Sequence, residues 1–204
     1  MSSKPKRSLK DILKEAEEER LLQIGKTARK RIKKKKTIGK ESMYAKCLEE
    51  NKRYKGVFDR SRLAMPPSKK LAVVVCMDAR LTVEDFLGLK TGDAHIIRNA
   101  GGIVTEDVLR SLIISYKLLG TREFFVINHT GCGMLTFEDE KLREKLKKDT
   151  GHDAGALEFY SFKNLRRNVR KQVKKIKECP FIPSSIPVYG FIYQVETGRL
   201  KEVK

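Results

Sequence analysis

Leu71-Ala72-Val73-Val74-Val75 is an unbroken apolar run that ends on Cys76. Three of its residues are β-branched, and none is charged. A continuous run of this kind, as opposed to an alternating one, predicts a strand buried on both faces of a sheet. Working outward, His95-Ile96-Ile97 and Glu123-Phe124-Phe125-Val126-Ile127 read as two further strands of the same type. Between them the spacing predicts a helix over Glu106 to Leu119, closed by Gly120 as its C-cap. Pro187 to Gln194 reads as a fourth strand, and Thr197-Gly198 turns the chain into an antiparallel edge strand over Arg199 to Val203. Upstream, Pro66-Pro67-Ser68 marks a loop, and Met43, Cys47, Leu48 and Tyr54 give an apolar side to a helix from about Glu41 to Tyr54. Alternating strands and helices predict an α/β fold. The expected core is a four-stranded, mostly parallel sheet with an antiparallel edge strand, flanked by helices.

The polar residues at the strand ends carry the chemistry. Cys76 closes the first strand, and His129-Thr130-Gly131-Cys132 follows the third. Ligand sites of open parallel sheets lie at the carboxyl ends of the strands. Any one of these side chains alone reads as a core thiol or a satisfied loop imidazole. Together, two thiols and one imidazole converging on one sheet edge form a soft N/S set suited to zinc, with a fourth tetrahedral position left open. Asp78 and Arg80 follow Cys76 at alternate positions, so both side chains are expected on its side of the chain. The pair reads either as a surface salt bridge or as an oriented dyad that keeps Asp78 ionised beside the metal.

Three motifs in order resemble the β-class carbonic anhydrases, and most closely their short microbial branch. They are Cys76-Met77-Asp78-Ala79-Arg80, Arg98-Asn99-Ala100-Gly101-Gly102 and His129-Thr130-Gly131-Cys132-Gly133-Met134. The likeness runs from about Glu41 to the C-terminus, and residues 1–40 lie outside it. The resemblance implies that Cys76, His129 and Cys132 bind Zn2+. It implies that Asp78 and Arg80 form the dyad that orients the zinc-bound water, or that frees Asp78 to bind the metal in a closed state. It implies reversible hydration of CO2 to bicarbonate and a proton by attack of zinc-bound hydroxide, in a homodimer or homotetramer. One departure stands out: Gly131 occupies a position where many short-branch members carry an acidic residue, which alters the charge and flexibility of the loop.

Within that mechanism, Gly101 and Gly102 lack side chains and so permit a small substrate to approach the backbone. Their other reading is a tight turn after the second strand. Histidine as a residue type can carry protons near neutral pH, and His95 is the candidate proton carrier, with a structural role at the start of its strand as the alternative. His152, in a glycine-rich stretch, is a weaker candidate. Carbonyl sulfide and carbon disulfide are linear like CO2, so a hydrolase acting on either is the alternative activity of the same site.

Composition sets the outer bounds. The chain has 204 residues and a net charge of +19. That length can bury a full core without disulfides. No apolar run is long enough for a membrane span. Met1 to Lys10 is polar and basic, unlike a secretory signal peptide, and four cysteines without such a signal fit a reducing, cytoplasmic setting. The charge is uneven. Residues 1–70 hold 23 Lys and Arg against 9 Asp and Glu, a net +14, while residues 71–204 carry +5. Residues 1–40 therefore read as a basic extension to a zinc domain over 41–204. The extension contains a helix opened by Ser8 and Asp11 and stopped near Gly25, followed by a Lys/Arg-rich arm over 26–36. The arm reads as a solvated tail or as a docking segment for an anionic partner. A non-catalytic zinc protein that binds polyanions through this arm is the reading from another functional class, and the Asp78–Arg80 pair argues against it.

Overall fold

All six residues of β1, Leu71–Cys76, are buried, as an apolar run with no polar face requires. The computed structural model describes residues 42–155 and 157–204, so the expected helix near Ser8 and the arm over 26–36 lie outside the described residues. The described chain divides after Arg62 into two units. In the first, α1 spans Met43–Gly56 and is capped by the Ser42 side chain, which accepts from the Ala45 amide. Its apolar residues Met43, Leu48 and Tyr54 are exposed.

The second unit, from Leu63 onward, is built on a five-stranded sheet in the order β2-β1-β3-β4-β5. Beyond β1 its strands are β2 (Ala94–Asn99), β3 (Glu123–His129), β4 (Val188–Gln194) and β5 (Arg199–Glu202). The first four run parallel, and β5 pairs antiparallel with β4. The helices are α2 (Val83–Leu87), α3 (Glu106–Leu119), α4 (Asp139–Thr150) and α5 (Leu165–Lys177), with a 3-10 turn over Gly133–Leu135. The α/β expectation holds, with an antiparallel pair at one edge. The α3 helix falls where its caps place it: the Thr105 side chain accepts from the Val108 amide, and Gly120 closes it in the left-handed conformation. The α2, α4 and α5 helices are additional to the elements expected from sequence.

Alternation along β1 sorts the core into two layers. Ala72 and Val74 face one side, where Phe124 and Val126 of β3 pack with Val108 and Leu112 of α3 and Ile176 of α5. Leu71, Val73 and Val75 face the other side, against Ile127, Leu81 and Val83. Burial of so much branched aliphatic surface fixes the register of the parallel strands, because a one-residue slip would exchange the two layers. In that register Cys76 pairs with Asn99, and Val75 pairs with Ile127 two residues before His129. Three strand ends thus reach the same edge of the sheet.

Candidate metal centre

The ligand atoms of Cys76, His129 and Cys132 all lie within 4.8 Å of one another, and all three residues are buried. The two sulfurs are 3.9 Å apart. β1 delivers the first thiol, the end of β3 delivers the imidazole, and the turn after β3 delivers the second thiol. Their loop is anchored from β4: the Thr130 amide donates to the Tyr193 carbonyl at 3.0 Å. The Thr130 hydroxyl accepts from the Val195 amide and donates to Glu196 at 2.7 Å.

The protonation pattern fits a cation at the centre of this triangle. His129 Nδ1 lies 2.8 Å from the Thr130 carbonyl oxygen, which can only accept, so Nδ1 carries the proton. Nε2 then presents a lone pair toward the thiols, and it is a buried nitrogen without a hydrogen-bond partner among the described residues. A buried polar atom left unpaired is costly, and a metal ligated there removes the cost. The bond between the thiols draws Cys76 down to about 4, with help from the His129 side chain and the Gly101 amide and against the opposing effect of burial. The same bond, with burial, pushes Cys132 up. Each thiol thus opposes the ionisation of the other. Both ionise together only when positive charge sits between them.

Asp78 and Arg80 stand at the rim. Arg80 grips the Asp78 carboxylate at both oxygens, from Nε at 2.9 Å and from Nη2 at 2.8 Å. The Arg80 amide adds a bond of 3.0 Å. These contacts hold the Asp78 carboxyl far below the usual carboxylate range, with the Arg80 side chain the largest influence. Asp78 Oδ2 lies 3.7 Å from His129 Nε2, so an ionised acceptor faces the centre. Arg80 Nη2 also donates to the Gly131 carbonyl at 3.0 Å. Gly131 sits at φ +60°, a conformation that suits a residue without a side chain. The residue that departs from the family pattern therefore aims its own carbonyl at Arg80.

Gly101 and Gly102 are buried close to the triangle, and the Gly101 amide donates to Cys76 Sγ at 3.3 Å. The room left by their missing side chains is taken by the chain itself. A Cβ on Gly102 would lie 3.1 Å from the Cys76 amide nitrogen and 3.1 Å from the Ile127 carbonyl oxygen, at φ +60°. His95 is not brought to this edge. It pairs with Ala72, four residues before Cys76 on β1, and its Nδ1 lies 2.7 Å from Ser115 Oγ of α3. His152 is exposed in the turn after α4.

Several supporting residues were given no role in the sequence reading, although Arg98 and Asn99 open its second motif. Arg98 donates to the carbonyls of Cys76 and Asp78. The Asn99 side-chain amide bonds both the carbonyl and the amide of Ile103. Buried Asn128 sits within the apolar β3 strand, and Asn168 and Gln172 lie on the inner face of α5. The available clue was polarity in the wrong place: an Asn near the end of an otherwise apolar strand, and two amides at i and i+4 on an apolar helix face.

Comparisons with known proteins agree with this geometry. Residues 71–200 match the carbonic anhydrase family. Beta-carbonic anhydrase 1 of Mycobacterium tuberculosis is 47% identical over 142 residues, covering 69% of this chain and 86% of that protein. A crystal structure of carbonic anhydrase from Streptococcus mutans superposes with a TM-score of 0.77 at 44% identity, covering 80% of this chain and 98% of that one. A carbon disulfide hydrolase of Acidithiobacillus thiooxidans is 33% identical over 162 residues, covering 70% of this chain and 81% of that protein. With the matched region enclosing all three motif-bearing strand ends and the buried Cys76, His129 and Cys132 side chains, the chain belongs to the β-class carbonic anhydrases.

Proposed function

We propose that this protein catalyses the zinc-dependent, reversible hydration of CO2 to bicarbonate and a proton. The observation that carries the reading is the buried Cys76–His129–Cys132 triangle, with the lone pair of His129 Nε2 unsatisfied and an ionised Asp78 3.7 Å away. Cys76, His129 and Cys132 would hold Zn2+, whose Lewis acidity brings the pKa of water toward about 7 and so makes hydroxide available at neutral pH. Asp78 is an acceptor without a proton of its own, so it fixes the orientation of a water molecule beside the ligands by taking one hydrogen bond from it. Arg80 keeps Asp78 ionised and held at the rim beside the ligand atoms, because detaching the carboxylate would break two charge-assisted bonds. The buried, apolar surroundings built by Leu81, Val83 and Met134 raise the strength of each of these polar contacts.

Higher identity to the mycobacterial carbonic anhydrase than to the carbon disulfide hydrolase supports CO2 as substrate. Stopped-flow CO2 hydration on the zinc-loaded protein, with carbonyl sulfide and carbon disulfide hydrolysis run in parallel, tests this. Hydration is expected to dominate, and Cys76→Ser is expected to abolish both bound zinc and turnover. A protein that hydrolyses the sulfur substrates and fails to hydrate CO2 would overturn the assignment.

His95 is the proposed proton carrier with the least geometric support, since its ring is engaged by Ser115 away from the metal edge. His95→Ala is expected to leave the CO2 hydration rate unchanged at both low and high buffer. A loss restored by strong buffer would place the imidazole on the proton path. A homodimer or homotetramer is supported by exposed apolar side chains, among them Leu118 and Phe181 of the sheet unit and Met43 of α1. Four unpaired thiols support a cytoplasmic setting.

A further inference from the structure

A chain of three buried amides runs from α5 to the metal edge. The Val104 amide donates to Gln172 Oε1 at 2.9 Å. Gln172 Nε2 donates to Asn168 Oδ1 at 2.8 Å, and Asn168 Nδ2 donates to Asn128 Oδ1 at 2.8 Å. Asn128 Nδ2 then donates to the Gly101 carbonyl at 2.9 Å. Both ends of this chain have fixed polarity. A backbone N–H can only donate and a backbone carbonyl can only accept, so just one orientation of all three side chains satisfies every link. Reversing any one amide would set donor against donor in the protein interior, where unpaired polar groups are costly.

The two ends also belong to one loop. Gly101 and Val104 lie three residues apart after β2, and the amide chain leaves that loop, crosses β3 and α5, and returns to it. Asn99 holds the middle of the same loop through both polar groups of Ile103. The loop position so fixed is the one from which the Gly101 amide points at Cys76 Sγ at 3.3 Å. Asn128, Asn168 and Gln172 retain only 1%, 6% and 2% of their accessible surface. Apolar side chains of similar size would fill that space without needing partners, so packing alone does not require amides here.

We propose that Asn128, Asn168 and Gln172 form a positioning relay that fixes the Gly101 amide on the Cys76 sulfur, and through it sets how tightly the Cys76–His129–Cys132 site holds its metal. An N–H aimed at a thiolate takes up part of its charge and orients its lone pairs. Hydrogen-bonding partners outside a ligand set typically change metal affinity by about 10–100-fold when removed. The relay extends from Asn128 on β3 to Asn168 and Gln172 on α5, a helix that contributes no ligand. The inference rests on the zinc reading of the site.

The test uses the full-length zinc-loaded chain and readouts other than turnover. Asn168→Leu removes the central link at nearly constant volume, and Gln172→Met removes the next link outward. Both are expected to accelerate zinc release to a chelator by about 10–100-fold. Both are also expected to lower the hydrogen-exchange protection of the Gly101 amide at least tenfold, and to shift the thiolate-to-metal band of the cobalt-substituted protein. Ile176→Val is the control, since it loosens the same helix within the core without touching the relay. Variants that lose thermal stability yet match Ile176→Val in zinc release, Gly101 protection and cobalt spectrum would overturn the proposal. If neither relay variant folds, the wild-type chain still decides. Its Asn128, Asn168 and Gln172 side-chain N–H protons must exchange far more slowly than those of Asn164, and equal exchange refutes the relay. Failure of the zinc reading is separately visible as a wild-type chain that binds no stoichiometric zinc.

Discussion

Arg80 is more than half exposed, with a side-chain accessibility of 53%, yet it touches three groups that matter: both oxygens of Asp78 and the carbonyl of Gly131. An exposed ion pair is usually worth little to stability. Its value here is directional, because the same guanidinium keeps Asp78 ionised and holds the His129–Cys132 loop against it. Arg80→Ala is therefore expected to keep its zinc and its fold while CO2 hydration falls by about 10–100-fold, the scale of a misplaced reacting group. The sign of the pH effect follows from the lowered Asp78 carboxyl. Without Arg80 that carboxyl returns toward the ordinary range, so the acid-side fall in activity moves to higher pH. Zinc stoichiometry beside a stopped-flow pH profile checks both outcomes. Sequence exposed this site because it needs particular residue types at strand ends: Cys76, His129 and Cys132 are readable as a set even without coordinates. The Gly131 carbonyl contact was not readable, since it depends on a backbone conformation and not on a side chain.

At the level of elements, the loop that follows α4 is governed by one carboxylate. Asp139, in the first turn of α4, accepts from the amides of Phe159, Tyr160 and Ser161 at 3.0, 3.0 and 2.9 Å. Those bonds hold Tyr160 at φ +60°, unusual for a residue with a side chain. Burial works against the ionised form of Asp139, and the Ser161 side chain and backbone amides outweigh it, leaving the carboxyl below its ordinary value. A lowered folded-state value adds stability above the unfolded value of about 3.9, and that stability is lost as pH falls through the folded one. Asp139→Ala is expected to cost about 2 kcal/mol at pH 7, the scale for hydrogen bonds to a charged group, and the difference from wild type should shrink below about pH 4. Denaturant unfolding at several pH values checks this. The strands and α3 were legible because apolar runs and caps announce them. The α4 helix buries no residue, so it has no apolar stripe to find. In α5, seven Arg and Lys residues and two buried amides dilute the stripe carried by Val169 and Ile176.

Over the whole molecule, charge and chemistry occupy different parts of the sequence. The excess of +14 lies before Leu71, whereas the ligands, the Asp78–Arg80 pair and the family match all lie at or beyond it. A chain lacking residues 1–40 is expected to hydrate CO2 at an unchanged rate per bound zinc. Any salt-sensitive binding to a polyanion such as heparin should weaken in the same deletion. Stopped-flow assay and salt-dependent retention on immobilised heparin check the two halves separately. The charge division was legible in full, because it needs only counting. The amide relay was not, because it joins residues 101, 104, 128, 168 and 172 through contacts that arise only once β3 and α5 are packed.

Cys76 and Cys132 stand 56 positions apart in sequence and 3.9 Å apart in space. In a freshly made chain, only His129 and Cys132 are close enough to grip an ion together, and two ligands hold zinc weakly. The third arrives when β1 and β3 pair, a step slowed by the closure of a long loop. Zinc capture is consequently a late event in biogenesis. A tightly held ion certifies that the central strands have already found each other.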